Sequence, residues 1–267
     1  LMYSLKARKE LKRDFWRVFL PLNFEEFKTK VNTIKPMNET GALIFFNTQS
    51  PKQFKGSDTL TTDLGTKITI GDGGLFADQN FKNIVNSDIS HEYGSCESSR
   101  SVLNTPSGLF YISQAQGKIF HYTGKGLINI ANKGMKQWFN KYLPSFLLAQ
   151  YPGMEDCSNW VDNPVAGIGC QTVYDPNNDL LYFSKRDYIP VPAMEPCIEF
   201  VPCEGFFYNA AECLGGSQTA RYPIELDDTM YFEDISWTVS FDPKAAKGGS
   251  WISFHDWHPE LTIFLKF

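Results

Sequence analysis

At 267 residues the chain has room for one large domain or two small ones, and a hydrophobic fraction of 42% is ample for a real core, which excludes general disorder. A formal charge of −5 excludes broad nucleic-acid binding, because phosphate recognition depends on surplus Lys and Arg. No stretch approaches the ~20 apolar residues of a membrane-spanning helix, so the chain reads as soluble, and charge scattered through its N-terminus does not match a signal peptide.

Residues 1–36 read as a helical leader. Leu11, Phe15, Val18 and Phe19 fall at helical spacing, basic residues fill most of the remainder, and Pro21 stops the segment. Asn23 predicts the cap of a second helix, Phe24 to Val31, with Glu25 and Glu26 in its first turn where the dipole favours negative charge. Burying an aromatic side chain contributes ~2 to 3 kcal/mol, so the stripe predicts docking on protein rather than on a membrane surface or nucleic acid.

From residue 37 to residue 267 the chain reads as short strands and turns, and its aromatic content of 15% favours pleated sheets. One pattern recurs along it. The copies are Gly41-Ala42-Leu43-Ile44-Phe45-Phe46, Gly108-Leu109-Phe110-Tyr111-Ile112-Ser113, Asp179-Leu180-Leu181-Tyr182-Phe183-Ser184 and Ser250-Trp251-Ile252-Ser253-Phe254. Each follows a proline, Pro36, Pro106, Pro176 or Pro243, and both markers share a period of ~70 residues. Between the first two copies, Lys67 to Phe76 predicts a strand entering a glycine-rich turn; it lacks the Gly-Lys-Ser/Thr ending of a phosphate loop. After the second copy, Gly117 to Leu127 alternates as a strand should. One inserted helix is then predicted from Met135, Trp138, Phe139 and Tyr142, ended or bent at Pro144.

A proline turn followed by an apolar strand, repeated at fixed period, predicts a mainly β fold with a β-propeller-like repeat. About three such units fit, fewer than the four blades of the smallest usual ring, so an incomplete propeller is expected, its edges completed by other segments or subunits. The start at Leu1-Met2 and the strand-like ending Thr262 to Phe267 lead us to expect a portion of a longer polypeptide.

Convergent chemistry is sparse. His91-Glu92-Tyr93-Gly94-Ser95-Cys96 collects a base, a carboxylate and two nucleophile types but lacks a nucleophile elbow, and reads as a polar turn. His255 and His258 stand three apart beside Pro259, without the helix or the Glu of a zinc-protease motif. Glu155-Asp156, Asp227-Asp228 and Glu233-Asp234 offer the carboxylates of a glycosidase, although adjacent pairs usually mark solvated turns. Cys96, Cys157, Cys170, Cys197, Cys203 and Cys213 permit free thiols, disulfides or a metal site, with free thiols expected because close Cys pairs are missing. We therefore expect no catalytic residues, metal or cofactor, and take Trp251, His255 and Trp257 as binding candidates.

At Gly94 to Val102, Tyr111 to Phe120, Trp251 to Pro259 and Thr66 to Phe76, the chain resembles the tail stabilisation or muzzle proteins of crAss-like bacteriophages. The resemblance implies a non-enzymatic component of the virion tail, repeated around the tail axis, with copies of itself and other tail proteins as partners and a host-surface contact within reach. The rival expectations are a glycan- or receptor-binding propeller, with Trp160, Trp237, Trp251 and Trp257 as stacking platforms, and a propeller-type glycoside hydrolase.

Overall fold

A computed structural model describes residues 18–19, 21, 24, 26–37, 41–54, 58–61, 67–70, 81–84, 94–123, 126–202, 204–210, 221–245 and 248–257. Among these residues the fold is mainly β, with several antiparallel sheets and two short α-helices. Residues 1–96 and 97–267 form two compact units.

In the first unit β1 (Val31–Met37), β2 (Gly41–Phe46) and β3 (Lys52–Phe54) pair in sequence. The hairpin of β4 (Asp58–Thr61) and β5 (Lys67–Ile70) intervenes before β6 (Phe81–Asn83) closes the sheet order β1-β2-β3-β6. Leu43, Ile44, Phe45 and Phe46 of β2 are all fully buried, as a continuous apolar run predicts for a strand covered on both faces. The predicted helix over Phe24–Val31 does not form. Phe24 makes a β-bridge, Lys28 and Thr29 bend, and Val31 already opens β1, where β-branched Val31, Thr33 and Ile34 suit a pleat better than a helix. Pro36 lies inside β1, so the expected boundary after residue 36 falls within a strand; it sits on the edge strand of its sheet, where the missing N–H costs nothing. The helix expected before Pro21 and the glycine turn after Ile70 fall outside the described residues.

The second unit begins with a meander of β7 (Leu103–Thr105), β8 (Gly108–Ser113), β9 (Lys118–Tyr122) and β10 (Leu127–Asn129), in that spatial order. Helices α1 (Lys136–Tyr142) and α2 (Phe146–Gln150) follow. Pro144 separates them, so the single expected helix is two, and Ser145 caps the second by accepting from Leu148 N at 3.2 Å. Next come β11 (Gly169–Asp175) and β12 (Leu180–Arg186), which continue across the sheet to β18 (Trp237–Asp242) and β19 (Ser250–His255). Between β12 and β18 lies an inserted module containing β13 (Tyr188–Pro190), β14 (Ile198–Val201), β15 (Phe206–Asn209), β16 (Pro223–Ile224) and β17 (Phe232–Asp234).

Three sheets are thus four-stranded with neighbours in chain order. The first three repeat copies are the second strands of these sheets: β2, β8 and β12. The fourth copy opens no fourth unit; it is β19, the last strand of the third sheet, reached from β18 by the turn at Pro243. A proline turn before an apolar strand marks an antiparallel hairpin whatever the pair's rank in the sheet, which is why the motif appears there too.

One core joins the two meanders of the second unit. Phe110, Ile112 and Ile119 pack with Leu181, Phe183, Val239 and Phe241, and Phe139 of α1 closes the cluster. A second core, built on Phe207, Tyr231, Phe232 and Leu147, belongs to the inserted module and α2. Its attachment is ionic. Lys185 and Asp187, both with fully buried side chains, pair at 2.7 Å. Lys185 Nζ donates to the carbonyls of Tyr142 and Pro144, each at 2.8 Å, while the Asp187 carboxylate accepts from Phe146 N at 2.7 Å and from Ser145 Oγ at 3.1 Å. The pair therefore supplies the carbonyls after α1 with a donor and the N–H groups opening α2 with an acceptor.

Candidate assembly surface and cleft

β19 lies at one end of the sheet order and, among the described residues, pairs on one side only, with β18. Its register runs His255 opposite Thr238, Phe254 opposite Val239 and Trp251 opposite Phe241, with a bulge where Ile252 and Ser253 face Ser240. Strand alternation splits the side chains. Trp251 turns inward, packs on Phe139, Phe183 and Phe241, and donates its indole N–H to Ile130 O at 3.2 Å. Trp237 is likewise core, its indole N–H 3.3 Å from Tyr142 O. Neither tryptophan is an exposed stacking platform.

On the opposite face His255 and Trp257 meet Tyr182 of β12 in an aromatic triad, with ring centroids 5.2 to 5.4 Å apart. Ser253 Oγ and His255 Nε2 lie 3.1 Å apart, and Thr238 Oγ1 donates to Trp257 O at 2.6 Å, which fixes the chain beyond the strand. Beside this triad Ile252 is 55% exposed and Trp257 45%, while Phe254, 56% exposed, stands opposite Val239 and meets Trp138 edge-on with ring centroids 5.1 Å apart. Sequence reading singled out His255 and Trp257 but not Tyr182 or the exposed pair Ile252 and Phe254. The repeat motif concealed them, because their counterparts in β2 and β8 are core residues.

Among the described residues of the second unit lie two clefts. One, of about 280 Å³, is walled by Leu148, Val161 and Ile168 and rimmed by Glu97, Gln114 and Asp162. Asp162, held at φ 56°, accepts from Ser99 N and Ser99 Oγ. Burial pushes its carboxyl above the usual range, against the opposing pull of those hydrogen bonds and of Arg100. Glu97 Oε2 accepts from Gln114 N at 2.7 Å.

The second cleft, of about 600 Å³, lies between the inserted module and the segment before β11, and is lined by Asn159, Trp160, Arg186, Phe206, Glu225 and Asp227. Trp160 had been singled out in the sequence and Asp227 belongs to one of the expected acidic pairs. Arg186, Phe206 and Glu225 carry no sequence signal. Their convergence comes from three separate segments of chain.

The remaining motifs stay apart from both features. Gly94, Ser95 and Cys96 are buried against β2, with Cys96 N donating to Phe46 O at 2.9 Å, while residues 91–93 lie outside the described residues. Glu155, Asp156, Glu233 and Asp234 are exposed. Cys96, Cys157 and Cys170 are free thiols, and burial raises the Cys170 thiol far above its usual value. Cys197 is disulfide-bonded, contrary to the expectation of free thiols throughout. It follows Pro196 in a 3-10 turn and its carbonyl accepts from Ala210 N at 2.7 Å, which ties the start of β14 to the end of β15. Among the described residues no cluster of three His, Cys, Asp or Glu could hold a metal ion, and no helix is long and apolar enough to cross a membrane. No protein-family model matches the sequence, and no curated protein matches it.

Proposed function

We propose that this chain is a structural component of a bacteriophage tail, a muzzle-type scaffold that acts by assembly and not by catalysis, with its four-stranded meanders serving as propeller-type blades. The observation that carries this reading is β19. Proteins that must stay apart protect an edge strand with Lys, Pro or inward charge. β19 carries none of these between Ser250 and His255, and it presents Ile252 and Phe254 to solvent, both more than half exposed. An unprotected, apolar edge invites a further strand, whose main-chain hydrogen bonds supply affinity and whose alternate side chains supply specificity. The three meanders add support, since sheets of four strands in chain order are the unit from which propellers are built.

Electron cryomicroscopy of an intact particle containing this chain tests the proposal. The expected result is a symmetric ring at the tail tip in which a strand from a neighbouring copy or tail protein extends β19. A chain absent from the particle, or one whose β19 stays solvated within it, overturns the proposal.

A further inference from the structure

The cleft between the inserted module and the segment before β11 serves no purpose in extending β19, yet it is built as a binding site. We propose that it binds a neutral hexose unit of a polysaccharide or glycan. Its volume of about 600 Å³ falls within the range of ligand sites, which combine apolar or aromatic walls with a few oriented polar groups. Trp160 and Phe206 form an aromatic corner, their centroids 6.4 Å apart and their planes at 84°. The corner is held in place. The Trp160 indole donates to Gly205 O, and Gly167 runs so close that an added Cβ would sit 2.2 Å from Trp160 O. Phe206 is 47% exposed although its neighbour Phe207 is fully buried, so the strand offers one ring to the core and the other to the cleft.

The polar groups suit a ring of hydroxyls. Arg186 Nε donates to Tyr188 OH at 2.7 Å and its Nη1 donates to Val165 O, which orients the guanidinium. Ile224 and Leu226 are buried and anchor their segment, so that Glu225 and Asp227 stand exposed at the cleft. Asn159 adds a planar amide. Carboxylates, a guanidinium and an amide can each engage two adjacent hydroxyls, while the apolar C–H face of a pyranose stacks on an aromatic ring. Charge selects among sugars: one arginine faces two carboxylates, which disfavours sialic acids, uronic acids and phosphorylated ligands.

Saturation-transfer NMR and tryptophan fluorescence on the full chain, against tetrasaccharides of glucose, galactose, mannose and N-acetylglucosamine, test this directly. At least one should bind saturably at millimolar concentration or tighter, and sialyllactose should not. Phe206→Ala, at an exposed position that leaves the fold intact by circular dichroism, should weaken binding roughly tenfold, and Asp227→Asn should weaken it comparably. Trp257→Ala should leave it unchanged. Failure of all four sugars to bind, binding indifferent to Phe206→Ala, or binding lost with Trp257→Ala instead overturns the proposal. None of these outcomes bears on whether β19 is extended in a particle, so the two proposals fail separately.

Discussion

The meanders β7-β8-β9-β10 and β11-β12-β18-β19 share a strand order and a core, yet the first is joined by short connections and the second opens between β12 and β18 to admit an entire module. The interruption leaves the ladder intact: β12 and β18 pair without a break from Leu181 opposite Phe241 to Lys185 opposite Trp237. Sheet register is set by which face is buried, and the entropy of closing a longer connection grows only slowly with length, so a buried strand pair tolerates a large insertion at its hairpin. What the insertion does require is an anchor, and Lys185 with Asp187 sits at the point where the chain leaves the sheet.

That anchor gives the largest expected effect. Asp187→Ala removes the partner of a fully buried ammonium and the acceptor for Phe146 N, and should destabilise the second unit by about 3 to 5 kcal/mol, read from urea denaturation. If its midpoint scarcely moves, the module is held by its apolar core alone and the contrast between the two meanders loses its physical basis.

The proline turns sharpen the comparison at smaller scale. In the first meander Pro106-Ser107 leads to Gly108 at φ 127°, where an added Cβ would lie 2.6 Å from His121 Nε2 and 2.7 Å from Tyr122 O. In the second, Asp179 adopts φ 56° and uses its side chain, accepting from Tyr174 OH and Lys244 Nζ. Gly108→Ala should therefore cost roughly 2 to 3 kcal/mol, by strain and collision together. Asp179→Gly should cost far less, since it relieves the backbone while losing one half-buried and one exposed contact. Equal losses in a thermal melt would show that the two turns are not alternative solutions to one problem.

These turns should also separate in pH. His121 stacks on Phe110 with centroids 4.1 Å apart, and its Nε2–H donates to Ser107 O at 2.8 Å. Burial lowers its pKa from 6.5, Lys133 adds to the lowering, and the bond to Ser107 opposes it. The unfolded chain then binds more protons, so stability is present above about pH 6.5 and is lost as pH falls through the lowered folded value. Asp179 is also lowered, by Lys244 first and Tyr174 second, from 3.8, so its contribution persists until much more acid conditions. His121→Gln should flatten the loss of stability between about pH 7 and pH 5, and Asp179→Asn should not.

Much of this was legible in the sequence, for a reason that also explains the failures. Apolar runs behind proline turns identified β2 and β8 because those strands are buried on both sides, where composition alone is diagnostic, and β12 because it pairs on both edges and buries Leu181 and Phe183. The same composition placed Ser250 to Phe254 in the repeat without revealing that, among the described residues, β19 ends the sheet, since edge position is a property of pairing and not of residue type. The helix over Phe24–Val31 failed because cap and charge signals are worth less than the tertiary pairing that recruits Val31 into β1. Asp187 gave no signal: its partners Ser145 and Phe146 lie about 40 residues away in sequence. The cleft is hidden for the same reason: Trp160 and Asp227 stood out singly, but nothing in the sequence joins them to Arg186, Phe206 and Glu225 until the chain folds.

The smallest expected change in stability falls at β19, and there the contrast between sheet and edge is most exposed to test. Ile252 sits at the bulge and more than half of it meets solvent, so Ile252→Lys removes little buried area and should shift folding stability by no more than about 0.5 kcal/mol. The same charge placed on an edge strand is the device by which natural sheets block further pairing. Sedimentation velocity on the full chain should therefore show concentration-dependent association that this substitution abolishes while the melting temperature holds. If association survives the lysine, the contact surface lies elsewhere; if the melt falls sharply, Ile252 is part of the core. Either result would remove β19 as the edge on which assembly rests.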